Sequence, residues 1–171
     1  MTLTFTSQRH PAAAEFVDDE QSPHWSAVTP FGPATLHTAR HPARTVLVSQ
    51  GLPGAALHER DGGYTPTRRG PLLLEVGNES GEVDAPYNRL LLPQLSRSSR
   101  TVRVQLPSGV WFLRAAGVRS VQLERDGVTL ARSNAAFTEH ELTDTCTPQD
   151  LAVHLALSPL RLYLFVLINT V

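Results

Sequence analysis

The stretch Thr147-Pro148-Gln149-Asp150-Leu151-Ala152-Val153-His154-Leu155-Ala156-Leu157-Ser158-Pro159-Leu160-Arg161-Leu162-Tyr163-Leu164-Phe165-Val166-Leu167-Ile168 reads as a helix that is apolar on nearly every side. Its start is explicit. Thr147 supplies an N-cap hydroxyl, Pro148 takes the first position, where a missing N–H costs nothing, and Asp150 sets a carboxylate on the positive end of the helix dipole. A helix without a polar face lies in the middle of a protein or in a membrane. Eleven large aliphatic or aromatic residues fall between Leu151 and Ile168, Tyr163 not counted. At roughly 1.5–3 kcal/mol each, exposing them would exceed the whole stability of a typical domain, roughly 5–15 kcal/mol. The spacing therefore predicts a central hydrophobic helix over 148–171. It is kinked near Pro159, which removes a backbone bond and disfavours the helical conformation at Ser158.

Working outward from this helix, the chain reads as strands. Ala34, Leu36 and Thr38 alternate with Thr35, His37 and Ala39, and Thr45-Val46-Leu47-Val48 follows at hairpin spacing. Leu72-Leu73-Leu74-Glu75-Val76 and Arg89-Leu90-Leu91-Leu92 suit buried strands, and Val102, Val104 and Leu106 share one face of a half-buried one. Val110 to Leu113 follows the turn Pro107-Ser108-Gly109. Within Val121 to Leu130, Asp126-Gly127 adopts the positive φ values that a two-residue hairpin demands. Ala55 to Arg60, Tyr64 to Arg68 and Ala136 to Leu142 are further candidates. Gly77 to Asn88 reads as a long acidic loop, and Ser7 to His24 as mostly irregular, with a short helix start at Pro11 to Phe16. The sum is a mainly β chain: an antiparallel barrel of about 9–12 strands around or against the C-terminal helix, in one domain over 1–171 whose first 24 residues are partly irregular.

Composition sets the surroundings. The 171 residues carry a net charge of -1, with 15 basic residues that are all arginine, which excludes a broad nucleic-acid-binding surface. One cysteine, Cys146, permits no internal disulfide, and Met1 to Thr6 lacks the blocks of a secretory signal, so a cytoplasmic setting is expected. Insertion of the terminal helix as a membrane anchor is opposed by Arg161 near its centre, at roughly 2.5–3.5 kcal/mol. Membrane contact is thus expected to be peripheral at most.

Many antiparallel strands followed by a terminal apolar helix, which opens with Asp150-Leu151-Ala152 and closes with Leu167-Ile168-Asn169, resemble the tubby C-terminal-like superfamily. That superfamily includes the plant LURP-one-related proteins and the phospholipid scramblases. The resemblance implies a closed barrel of about twelve strands around the helix, over about residues 25–171. Pro159 and Arg161 depart from the pattern, as does asparagine in place of a closing aspartate. None of the basic sites of tubby-type phosphoinositide recognition matches a position here.

Chemistry is concentrated on one helix stripe: Asp150, His154, Ser158 and Arg161 are spaced four, four and three apart and share a face. Three readings compete: the line meets polar groups of the wall, with Arg161 on a carboxylate and His154 on a backbone carbonyl, or lines a cavity for a small ligand or lipid headgroup, or serves proton chemistry or a membrane role. Catalytic motifs are missing: Gly77-Asn78-Glu79-Ser80-Gly81 sets its serine one place late for a nucleophile elbow, and no phosphate loop or dinucleotide fingerprint occurs. His37 and His41 precede Pro42 on a strand end, so no metal is expected, nor any cofactor. Glu139 and Glu141 share one strand face with His140 opposite. Cys146, beside a helix start, is a candidate for a lowered thiol pKa but has no partner histidine.

Seven arginines lie between Arg97 and Arg132 against Glu124 and Asp126, whereas Ser133 to Asp150 holds four acids and no base. Arg119, Arg125 and Arg132 read as strand-rim residues, leaving Arg97, Arg100 and Arg103 as candidates for phosphate or carboxylate contact. The expected function is a non-enzymatic binding or interaction module, for an anionic lipid, a small molecule or a protein partner. Two alternatives remain: a small hydrolase or isomerase with His154 as base, and a C-terminally membrane-anchored protein. If the arginine candidates bind anionic lipid, replacing Arg97, Arg100 and Arg103 together by glutamine abolishes retention on anionic liposomes. Salt also weakens retention of the parent, since exposed charges are screened over about 8 Å. A parent that ignores such liposomes at low salt refutes the lipid assignment.

Overall fold

The computed structural model describes residues 2–10, 24–40, 43–59, 72–85, 101–117, 119–160 and 164. Twelve strands form the wall: β1 (Leu3–His10), β2 (His24–Thr29), β3 (Gly32–Arg40), β4 (Ala43–Ser49), β5 (Ala55–Glu59), β6 (Leu72–Val76), β7 (Glu79–Asp84), β8 (Thr101–Leu106), β9 (Gly109–Ala115), β10 (Ser120–Arg125), β11 (Val128–Asn134) and β12 (Glu139–Leu142). Each pairs antiparallel with its neighbours in sequence, and β1 pairs with β12 to close the barrel. The period-two pattern explains the wall. In β8, Val102, Val104 and Leu106 face inward and are buried while Arg103 and Gln105 are exposed.

The helix α1 (Pro148–Ala156) fills the barrel, packing on β4, β5, β6 and β11, and every residue from Asp150 to Ala156 is buried. It is shorter than the 24-residue helix expected. Its last helical cap is Leu157, whose N–H bonds to the Val153 carbonyl at 3.0 Å, and the chain then tightens into a 3-10 turn at Ser158–Leu160, where the Leu160 N–H reaches the Leu157 carbonyl at 2.9 Å. Pro159 is the reason, because its ring crowds the Leu155 carbonyl and its nitrogen has no hydrogen to bond it. Leu164 is again helical and buried. Residues 161–163 and 165–171 lie outside the described residues, and no described helix is long and apolar enough to cross a membrane.

Two other expectations change. The acidic loop over Gly77 to Asn88 is, through Asp84, a tight hairpin: β7 pairs with β6 from Glu79 to Val83 and with β8 from Glu82 to Asp84. The acids Glu82 and Asp84 are the outward members of its alternation and Val83 the buried one. The irregular start gives way to β1, whose Phe5 and Ser7 are buried, and to β2, which starts at His24. The candidates at Pro11 to Phe16, Tyr64 to Arg68 and Arg89 to Leu92 lie outside the described residues.

Two backbone details set the chemistry. Asp126 and Gly127 have φ values of 53° and 78°, the two left-handed residues of a primed hairpin turn joining β10 to β11. A bulge between Leu123 and Glu124 then shifts the register: Leu123 faces Ala131 while Glu124 faces Thr129. Leu130 and Ala131 are consequently buried one after the other. From there the alternation is reversed, so that Ser133 points inward and Arg132 outward.

At its start the helix is locked to the wall by Asp150. Oδ1 accepts Trp111 Nε1–H at 2.8 Å and pairs with the Arg125 guanidinium at 2.9 Å; Oδ2 accepts the Thr147 N–H and hydroxyl at 2.9 and 2.7 Å. Arg125 also stacks 5.6 Å above the buried Trp111 ring. Asp150→Ala therefore removes a capping box, an indole acceptor and the counter-ion of a half-buried guanidinium. It is expected to destabilise the fold by roughly 3–5 kcal/mol in chemical denaturation; a loss under about 0.5 kcal/mol would show that the lock is dispensable.

Candidate functional site

The bulged β11 and the central helix bring Ser133, His140 and His154 together inside the barrel. Ser133 Oγ lies 2.6 Å from His154 Nε2 and 2.8 Å from His140 Nδ1; His140 Nε2 lies 3.2 Å from Ser7 Oγ, and Ser7 donates to the Phe137 carbonyl at 2.5 Å. One proton ordering satisfies this chain with neutral rings. Because the only Ser7 hydroxyl hydrogen goes to the Phe137 carbonyl, Ser7 Oγ accepts from His140 Nε2–H. His140 Nδ1 then accepts from the Ser133 hydroxyl, and Ser133 Oγ accepts from His154 Nε2–H. The chain runs from the helix, through β11 and β12, to β1, and it leaves His154 Nδ1 buried without a hydrogen-bond partner.

Aromatic rings enclose the two imidazoles. Phe5 stacks on His140 at 4.5 Å and 6°, while Phe137 meets His140 edge-on at 4.7 Å and lies over His154 at 5.1 Å. Phe137 reaches this place with a φ of 61°, a conformation that strains a non-glycine residue and persists where packing overdetermines it. Burial, reinforced by the neighbouring His140, pushes the His154 imidazole down to about 3. Both Ser133 and His154 are sealed, at 3 % and 0 % exposure. A neighbouring interior pocket lined by Ser7, Trp25, Phe137 and Leu155 holds about 10 Å³, no more than a single water.

Outside the same wall lies a groove of about 730 Å³, over β10, β11, β12 and β1. Arg119 and Arg132 stand on its β10–β11 side and Glu139 and Glu141 on its β12 side, all four exposed. Thr4 and Thr6 add hydroxyls from β1, opposite Glu141 and Glu139. Asn134 shapes the rim: its side-chain oxygen accepts the Thr138 and Glu139 N–H groups at 2.9 and 3.4 Å, and its nitrogen donates to the Thr138 hydroxyl at 2.9 Å.

The structure distributes the sequence candidates widely. His154 and Ser158 are buried in the barrel, and the partner of His154 is a serine hydroxyl rather than the backbone carbonyl expected. Arg103 is exposed on β8, away from the groove, donating to Gln105 Oε1 at 2.8 Å and standing opposite Asp84. Arg97, Arg100 and Arg161 lie outside the described residues. Cys146 is not activated: burial first and the Asp150 carboxylate second push its thiol up to about 12, against a downward pull from Arg125. Ser7, Ser133 and the groove arginines were missed as a site. The signal available was the His140 position opposite Glu139 and Glu141. Among the described residues, no group of three or more histidine, cysteine or acidic side chains is placed to hold a metal ion. Comparison of the chain with family models, characterised proteins and solved structures finds no significant match.

The sealed imidazole makes stability depend on pH in a defined window. His154 titrates near its ordinary 6.5 in the unfolded chain and about 3 in the folded one, so the unfolded state takes the proton first. Its contribution is complete above pH 6.5 and is lost as pH falls toward 3, at about 1.4 kcal/mol per pH unit where the two states differ by a full proton. His140 is the titratable group facing it. Denaturation at pH 7.0, 6.0 and 5.5, above most carboxylate titration, is expected to show stability falling with a slope that steepens toward this limit, and His154→Gln to flatten it. Equal slopes in parent and variant would refute the assignment.

Proposed function

We propose that this protein is a non-enzymatic binding module of tubby-like architecture whose ligand face is the groove on the outer wall of β10, β11, β12 and β1. One observation carries the reading. The ligand-sized space beside the polar residues lies outside the wall, at about 730 Å³, within the roughly 300–1,000 Å³ of small-molecule sites, while the barrel interior is occupied by its own helix. A closed barrel around a C-terminal helix is also what the tubby-like resemblance implies.

The hydrolase alternative has one specific observation in its favour, the 2.6 Å contact of Ser133 with His154. Against it, the serine oxygen is on the helix side of the wall and buried, its hydrogen is given to His140 Nδ1 and it accepts from His154 Nε2–H, so it faces no open space.

Native mass spectrometry of the gently purified protein tests the choice. A co-purifying small molecule that is lost from an Arg119→Gln/Arg132→Gln variant is the expected result. An adduct retained by that variant, or hydrolysis of a simple activated ester that Ser133→Ala abolishes, would overturn the reading.

A further inference from the structure

We propose that the groove takes a short zwitterionic peptide, two or three residues long with free termini, its carboxylate on Arg119 and Arg132 and its ammonium on Glu139 and Glu141. This rests on the reading of the groove as the binding face.

The argument begins with the placement of charge. The two signs come from different strands, Arg119 just ahead of β10 and Arg132 on β11 against Glu139 and Glu141 on β12. Arg132 and Glu141 stand directly opposite each other in the β11–β12 register, yet among the described residues no ion pair joins the groove's arginines to its glutamates. A ligand of a single sign gains at one side and is repelled at the other, whereas a dipolar ligand gains at both. Guanidinium forks match a carboxylate through paired hydrogen bonds, and a primary ammonium has three donors for the two glutamates.

Length follows from the sheet. Arg132 and Glu141, on adjacent strands, are one strand spacing apart, about 4.8 Å, and Arg119, just before β10, and Glu139, at the start of β12, are two spacings apart, about 9.6 Å; the longer separation sets the length. An extended chain covers about 3.3–3.6 Å per residue, so the termini of a dipeptide or tripeptide are separated by about 7–10 Å. The hydroxyl of Ser120 stands beside Arg119, and those of Thr4 and Thr6, on β1, flank the glutamates, offering donors and acceptors at the two ends of the ligand. Directly beneath, the sealed chain of Ser133 and His140 is in the wall itself, so this floor is held in place by bonds to the central helix.

The experiment is a titration of the ¹⁵N-labelled full chain, at low salt, with a random tripeptide mixture bearing free termini, the same mixture N-acetylated, the same mixture C-amidated, and inorganic phosphate. The free mixture is expected to shift the amide signals of Thr4, Thr6, Ser120, Glu139 and Glu141, and each cap to weaken binding at least roughly tenfold. Arg119→Gln/Arg132→Gln is expected to erase the discrimination against the amidated mixture alone, and Glu139→Gln/Glu141→Gln that against the acetylated mixture alone. Signal dispersion of each variant verifies its fold. Capped and free mixtures binding equally, or phosphate alone moving the groove signals, would overturn the zwitterionic ligand and leave the groove as a binding face. If no probe moves any groove signal, both are overturned.

Discussion

One buried carboxylate organises this molecule. Asp150 has no exposed surface, and all four of its hydrogen-bonding contacts come from different demands: the indole of Trp111 on β9, the guanidinium of Arg125 on β10, and the N–H and hydroxyl of Thr147 at the helix cap. A charge taken that far from water is tolerated only when nearly every lone pair is used. Meeting that condition fixes where the helix enters the barrel and how it is rotated. His154, one turn further on, then arrives opposite Ser133, and the polar chain to β1 follows from that rotation.

Much of the architecture was legible in the residue pattern, for reasons that differ between elements. The central helix is apolar on almost every side, and only an interior position resolves that. The β10–β11 hairpin is written in Asp126-Gly127, since few residue pairs accept two positive φ values. Among the strands that escaped, β1, β2 and β7, the first and last lack apolar contrast. In β1 the inward residues include Ser7, and in β7 only Val83 is a buried apolar residue, so the acids Glu82 and Asp84 dominate the local reading. Both are strands because they pair with a neighbour on each side, β1 with β12 and β2, and β7 with β6 and β8, which is tertiary information.

The site was less legible for a geometric reason. Strict alternation from Leu130 would place Arg132 inside the barrel and Ser133 outside. The bulge between Leu123 and Glu124 inverts this, and nothing in the sequence of β10 or β11 announces it. The helix stripe was found from periodicity alone, but its partners Ser133 and His140 depend on that inversion and on the pairing of β11 with β12. The kink expected at Pro159 is in the structure the end of the α-helix and the start of a 3-10 turn, because the proline ring and its missing N–H forbid the next helical bond to the Leu155 carbonyl.

Closure of the sheet has a consequence for how this chain meets other molecules. Every described strand has a partner strand on each side, so among the described residues the sheet has no free edge strand. Recruitment by strand addition at a free edge, a common and sequence-tolerant way for sheet proteins to capture extended peptides, therefore has no edge strand to use among the described residues. Whatever this surface recognises, it must distinguish by side chains, and its selectivity is open to change by single outward-facing substitutions that leave the barrel untouched.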